Sequence, residues 1–157
     1  ITAELKELDA WYAKLTQSSV SFKHTDLGAG SKSGKAGERQ IGEYTRKVSK
    51  PKKYRHLLYQ LAKYLNTSSI LELGTATGVS GAYLQRGNSG SKFISLEGCP
   101  ALAGIAFDEW KKLGLENSVA LNASFDDKLQ AVASEYGPFD LIYLDGNHKE
   151  EPTIRYF

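Results

Sequence analysis

Methionine is absent from the 157 residues, cysteine occurs once, at Cys99, and proline occurs four times. A single thiol excludes an internal disulfide and any multi-cysteine zinc site, and it suits a reducing compartment. No apolar run approaches the roughly 18 residues needed to span a bilayer. The N-terminal stretch carries Glu4, Glu7 and Asp9, which is not the basic then apolar order of a secretory signal. These absences read as a cytoplasmic chain without a membrane partner. There are no internal repeats. The lack of Met, and an end at Tyr156-Phe157 just past a helix start, lead to the expectation of a fragment.

What is present is an ordinary globular composition, 41% hydrophobic, 24% charged and 11% aromatic, far from disordered or collagen-like chains. A chain of this length buries roughly 68–70% of its unfolded surface, enough for one core without staples. The net charge of +2 is unevenly spread. Residues 32–55 hold nine Lys or Arg against Glu38 and Glu43, so the segment is +7 and the remainder −5. Such a block could meet nucleic-acid phosphates or an acidic substrate. A solvated helix face plus a loop is the favoured reading, because aromatics are not interleaved as strand-binding surfaces require.

Leu5, Leu8, Tyr12 and Leu15 recur at helical spacing and predict an amphipathic helix over 3–16. Residues 24–37, with Gly28-Ala29-Gly30-Ser31, read as a Gly/Ser-rich loop. Pro51 suits a first helical position, followed by Tyr54, Leu57, Leu58, Leu61 and Leu65, with the helix ending near Asn66. The pattern then alternates. Strands are expected at 70–73, 92–96, 119–121 and 139–144, and helices at 79–87, 100–113 and 126–136. This order predicts βαβ units, a parallel sheet and right-handed crossovers. The organisation is therefore read as an N-terminal helix with a basic, lid-like segment over 1–50, then an α/β domain over 51–157.

In open parallel sheets a ligand lies beyond the carboxyl ends of the strands, where strand order reverses. The first such end is Glu72-Leu73-Gly74-Thr75-Ala76-Thr77-Gly78. Glycines permit a tight turn and close ligand approach, and the following helix offers free N–H groups. The spacing is G-x-x-x-G-x-x-G with Ala76 central, not the dinucleotide G-x-G-x-x-G. Glu72 would repel pyrophosphate and suits a ligand bearing an ammonium group. The second end, Glu97-Gly98, puts an acid 23 residues after Gly74, where ribose hydroxyls are bound. The third is Asn122-Ala123-Ser124-Phe125-Asp126, in which Ser124 also makes an ordinary N-cap. The fourth, Asp145-Gly146-Asn147-His148, converges three polar side chains at a turn that Gly146 permits.

Taken in order, these motifs resemble the class I, Rossmann-like S-adenosylmethionine-dependent methyltransferases, in particular the small-molecule O-methyltransferase group. The resemblance spans 54–157, and the stretch from Asp145 to Thr153, with Gly28–Ser31 and Arg46–Ser49 upstream, is similar to uncharacterised bacterial members. It implies a doubly wound sheet with helices on both faces, an N-terminal helical extension, and family strands beyond the fourth that this chain lacks. It also implies that Glu72 and Gly74, Thr75, Ala76, Thr77 and Gly78 hold the methionine moiety of S-adenosylmethionine. Glu97, beside Gly98, would take the ribose, Ser124 and Phe125 the adenine, and Asp145 would face the transferred methyl. S-adenosylhomocysteine (SAH) would be the product and a small molecule the acceptor, with a homodimer compatible.

Methyl transfer from a sulfonium is an in-line displacement, so the protein supplies orientation, plus a base if the acceptor is a hydroxyl. Asp145 and His148 are the catalytic candidates, His148 because its ordinary pKa lies near 6.5. A divalent ion held by that pair would do the same work, but one carboxylate and one imidazole make a thin site and no metal ligand set is assigned. Two rivals stay open. An RNA methyltransferase or nucleic-acid binder would use 32–55, and a nicotinamide-dependent oxidoreductase would use the glycine turn.

Overall fold

The structure, a computed structural model, describes residues 1–25, 37–146 and 150–156. Helix α1 (Ala3–Leu15) starts where the Thr2 side chain accepts from the Leu5 N–H, and it buries Leu5, Leu8 and Leu15. A hairpin follows, β1 (Ser21–His24) antiparallel to β2 (Gly37–Gln40), then α2 (Ile41–Val48) and α3 (Lys52–Leu65). His24 and Gly37, expected in a loop, thus end paired strands. Pro51 is the N-cap of α3 and extended, not its first helical residue. Asn66 closes α3 in the left-handed region, a conformation that Asn tolerates.

The remainder alternates: β3 (Ser69–Leu73), α4 (Val79–Gly87), β4 (Lys92–Glu97), α5 (Pro100–Lys112), β5 (Ser118–Asn122), α6 (Phe125–Tyr136), β6 (Leu141–Leu144) and α7 (Glu150–Tyr156). The order β5-β4-β3-β6 is parallel throughout. The chain winds outward from β3 to β5 and returns to the other side of β3. Strand order therefore reverses between β3 and β6, and the crevice at their carboxyl ends is where such sheets bind ligands.

Side-chain alternation along the strands divides the core in two. Ile70 and Phe93 face a layer of α1, α3, α4 and α5 that includes Leu8, Tyr59, Tyr83 and Trp110. Leu71, Leu73, Ile94 and Leu96 face the other way, against Val132 and Leu129 of α6 and Tyr156 of α7. Helices cover both faces, as a doubly wound sheet requires. The same alternation puts Glu72 and Ser95, register partners in β3 and β4, on the face of Ile70 and Phe93. No described helix is long and apolar enough to cross a membrane.

Candidate functional site

Gly74 opens the turn after β3 with φ +103°, and a Cβ there would lie 2.9 Å from the Asp145 backbone. Only glycine adopts that backbone without strain and admits the neighbouring strand so closely. Its N–H donates to the Leu96 carbonyl at 2.9 Å, and the Asp145 N–H donates to the Leu73 carbonyl at 2.9 Å. Three strand ends are thereby locked together. Thr75 and Thr77 are fully buried. Thr75 bonds Ser95 at 2.6 Å and Thr77 contacts Thr45, so both side chains turn inward and the turn presents mainly backbone. Ala76, with φ +48°, is half-buried at its crest. Gly78 caps α4, its carbonyl accepting from Trp110 Nε1 at 2.8 Å.

Glu97 ends β4 beside this turn. One carboxylate oxygen accepts from the Ala76 N–H at 2.8 Å and the other from the Cys99 N–H at 2.8 Å. Burial raises its pKa, while the N–H groups of Cys99, Ala76 and Gly98 act the other way. The carboxylate keeps acceptor capacity for a further donor. Asn122, at the end of β5, donates to the carbonyls of Glu97 and Gly98 at 2.9 and 3.0 Å.

Glu72 is placed differently from the ammonium contact read from its motif. It is completely buried, its carboxyl accepting from Ser95 at 2.6 Å and from Ser80. Burial, reinforced by the charges of Asp145 and Glu97, pushes its pKa up to about 8. A carboxyl that keeps its proton at neutral pH braces the turn from beneath and offers no charge to a ligand.

Ser124 is the N-cap of α6, but its side chain makes no capping bond. Phe125 lies edge-on to Tyr156, centroids 5.7 Å apart, and against Gly146, where a Cβ would meet the ring at 2.7 Å. Gly146 is not among the positive-φ glycines, so the turn it permits needs no left-handed backbone there. Space for the Phe125 ring is what requires glycine. Asp145, with its side chain 16% exposed, pairs with Lys50 Nζ at 2.7 Å. Burial and the Asp145 charge raise the Tyr143 hydroxyl pKa. His148, with Asn147 and Lys149, lies outside the described residues, as does Gly28–Ser31. Lys50 was visible in sequence only as one cation of a basic run. Its partner lies 95 positions away, a juxtaposition that only the fold creates.

No family model matches the chain. A catechol O-methyltransferase from Niastella koreensis is 33% identical over 103 residues, 64% of this chain and 46% of that protein. An O-methyltransferase from Bacillus cereus in complex with SAH superposes with a TM-score of 0.67 at 22% identity, over 99% of this chain and 60% of the other. An SAH-bound methyltransferase from Podospora anserina gives 0.62 at 19% identity, over 94% and 51%. The fold is that of the class I, Rossmann-like methyltransferases. The chain spans about half the length of the curated relative it matches.

On this fold the N-terminal elements cover the carboxyl end of the sheet. Phe22 of β1 and Tyr44 of α2 pack with Cys99, Leu102 and Ala76 in one cluster, which places the hairpin and α2 over the glycine turn and the start of α5. Cations of the basic segment act inside the molecule. Arg46 donates to the Thr16 carbonyl, Lys50 pairs with Asp145, and Lys52 pairs with Asp9 at 2.8 Å. Arg55, 6% exposed, stacks 3.7 Å from the Tyr12 ring centroid. Lys32 and Lys35 lie outside the described residues. Among the described residues no three His, Cys, Asp or Glu side chains gather as a metal site would.

Proposed function

We propose that the chain is the cofactor-binding part of an S-adenosylmethionine-dependent O-methyltransferase acting on a small molecule. The observation that carries this reading is the Glu97 carboxylate, fixed by the Ala76 and Cys99 N–H groups beside the strand-order reversal. An acid so held accepts hydrogen bonds from vicinal hydroxyls without reorganising. The cradle at Gly74, where a Cβ would collide with Asp145, fits a ligand drawn close to the backbone. The catechol O-methyltransferase relative and the SAH complexes of the structural neighbours support the same ligand class.

When bound, the cofactor supplies an electrophilic sulfonium methyl group. Glu97 takes the ribose, the Gly74–Gly78 backbone the methionine side, and Ser124 and Phe125 flank the adenine. The chain's work is to hold donor and acceptor in line, which supplies most of the acceleration in such displacements. Asp145 or His148 would take the proton of an acceptor hydroxyl. The nucleic-acid reading is the less favoured, because Arg55 of the basic segment is buried and the relatives are O-methyltransferases.

Isothermal calorimetry of the full-length protein with SAH tests this directly. One-to-one binding, with no heat from reduced nicotinamide cofactor, is the expected result. Absence of SAH binding overturns the reading, and salt-sensitive RNA binding in its place would favour the rival.

A further inference from the structure

A nucleoside thioether with an amino-acid tail presents two opposite charges at that tail, and the glycine turn offers backbone but no accessible charged side chain. Glu72, the acid that the motif offers, is sealed beneath the turn with its oxygens taken by Ser80 and Ser95. Among the described residues, Asp145 at the end of β6 and Lys50 form an ion pair at the mouth of the β3/β6 crevice, 2.7 Å apart. We propose that Lys50, reaching in from the link between α2 and α3, binds the α-carboxylate of the cofactor while Asp145 beside it faces the α-ammonium. This rests on the methyltransferase reading and deepens it by assigning the amino-acid end to an ion pair outside the glycine motif.

The placement of Lys50 is specific. Ser49 before it is extended, and Pro51 after it is extended with φ −51°, so the link cannot continue either helix. The residue before a proline is itself biased away from helix. Its carbonyl accepts from Arg55 Nη1 at 2.8 Å, and Arg55 is buried. The backbone of Lys50 is therefore pinned while its side chain stays 40% exposed at the crevice. An ammonium has three donors, so Lys50 can bond a carboxylate without releasing Asp145.

The strand order fixes which way the ligand lies. Glu97 ends β4 on one side of β3, and Asp145 ends β6 on the other. A ligand with its ribose at Glu97 crosses the Gly74 turn and delivers its tail to β6. There the charges alternate along a row: carboxylate, Lys50, Asp145, ammonium. Each opposite pair is adjacent, which is the complement an amino-acid zwitterion requires.

The test compares SAH with 5′-methylthioadenosine, the same nucleoside thioether without the amino acid, by calorimetry on wild type, Lys50→Ala and Lys50→Arg. Lys50→Ala should weaken SAH roughly 10- to 100-fold, the worth of one charge-assisted hydrogen bond, and leave methylthioadenosine within about twofold. Lys50→Arg should recover most of the SAH affinity. Unchanged SAH binding in Lys50→Ala overturns the assignment, and so does an equal loss for both ligands, which would mean that Lys50 acts through the fold. Wild-type protein that holds both ligands equally well also overturns it. Wild-type protein that binds neither overturns the cofactor reading itself, so the two failures are distinguishable.

Discussion

The hydroxyls of Thr45 and Thr77 lie 3.1 Å apart in a buried contact joining α2 to the glycine turn. Thr45 donates both to Thr77 and to the Ile41 carbonyl at 2.7 Å, so its single proton is shared between two acceptors. Thr77→Val leaves Thr45 its bond to Ile41 and should cost about 1 kcal/mol, whereas Thr45→Val removes both contacts and should cost about 1–3 kcal/mol. Urea denaturation of both variants should show Thr45→Val as the more costly. The reverse order would mean that Thr45 does not anchor this contact.

Glu97→Ala should weaken SAH binding by about 2–4 kcal/mol if the carboxylate takes both ribose hydroxyls. Glu97→Gln keeps one acceptor for the Ala76 or Cys99 N–H and should lose less. Calorimetric affinities equal to wild type in both variants would remove the ribose role.

The pH dependence of stability separates Glu72 from Asp9. Glu72 titrates near 8 in the fold against 4.5 ordinarily, so between those values the folded protein keeps a proton that the unfolded chain has lost. Stability therefore falls as pH rises from about 4.5 to 8 and levels off above. Thermal midpoints measured across that range should decline in wild type and lose this slope in Glu72→Gln.

Asp9 behaves in the opposite sense. Burial alone would raise it, but Lys52, Tyr83 and His56 together hold its pKa down, at about 2. The Tyr83 hydroxyl donates to it at 2.7 Å and His56 lies 3.0 Å away. Its contribution is complete above about pH 4 and is lost as pH falls towards 2. Acid titration followed by circular dichroism should place α1 release in that window, and Asp9→Asn should remove the acid step.

Gly74→Ala should cost about 2–4 kcal/mol, from the left-handed backbone and from a Cβ driven against Asp145. Guanidinium denaturation reads the loss directly. A stability change under about 0.5 kcal/mol would mean that the turn relaxes freely.

Most of the sheet was legible because its strands are short apolar runs set between helical repeats. Ile70–Leu73 and Lys92–Leu96 are found within a residue of their observed ends. Where the reading slipped, a local rule gave way to a distant partner. The last strand begins at Leu141, not Phe139, because Pro138 has no N–H and the Asp140 side chain accepts from Ser68 and Ser69 at 2.6 and 3.1 Å. The β1–β2 hairpin escaped notice because Gly37-Glu38-Arg39-Gln40 has no apolar residue and pairs only across a long connection. Helix α2 did leave a trace, Ile41, Tyr44 and Val48 at spacings of three and four, masked by the charges around it. Within the candidate site, the Gly74 turn, Glu97 and Asp145 do meet, since the positions of strand ends follow from topology. The burial of Glu72 and the reach of Lys50 depend on packing between distant segments, which no periodicity encodes.

Lys50, Lys52, Arg55 and His56 share seven consecutive positions yet serve three surroundings: the crevice for Lys50, a pair of tyrosine rings for Arg55, and the Asp9 carboxylate of α1 for Lys52 and His56. Such a stretch is indifferent to many exchanges of one cation for another on its outer side but intolerant of any change in length. One inserted residue turns everything after it by about 100° around the helix axis. Arg55 would then face solvent, and its clasp on the Lys50 carbonyl would open. Spacing, more than residue identity, is what this packing constrains, and homologous chains should vary in composition here long before they vary in residue count.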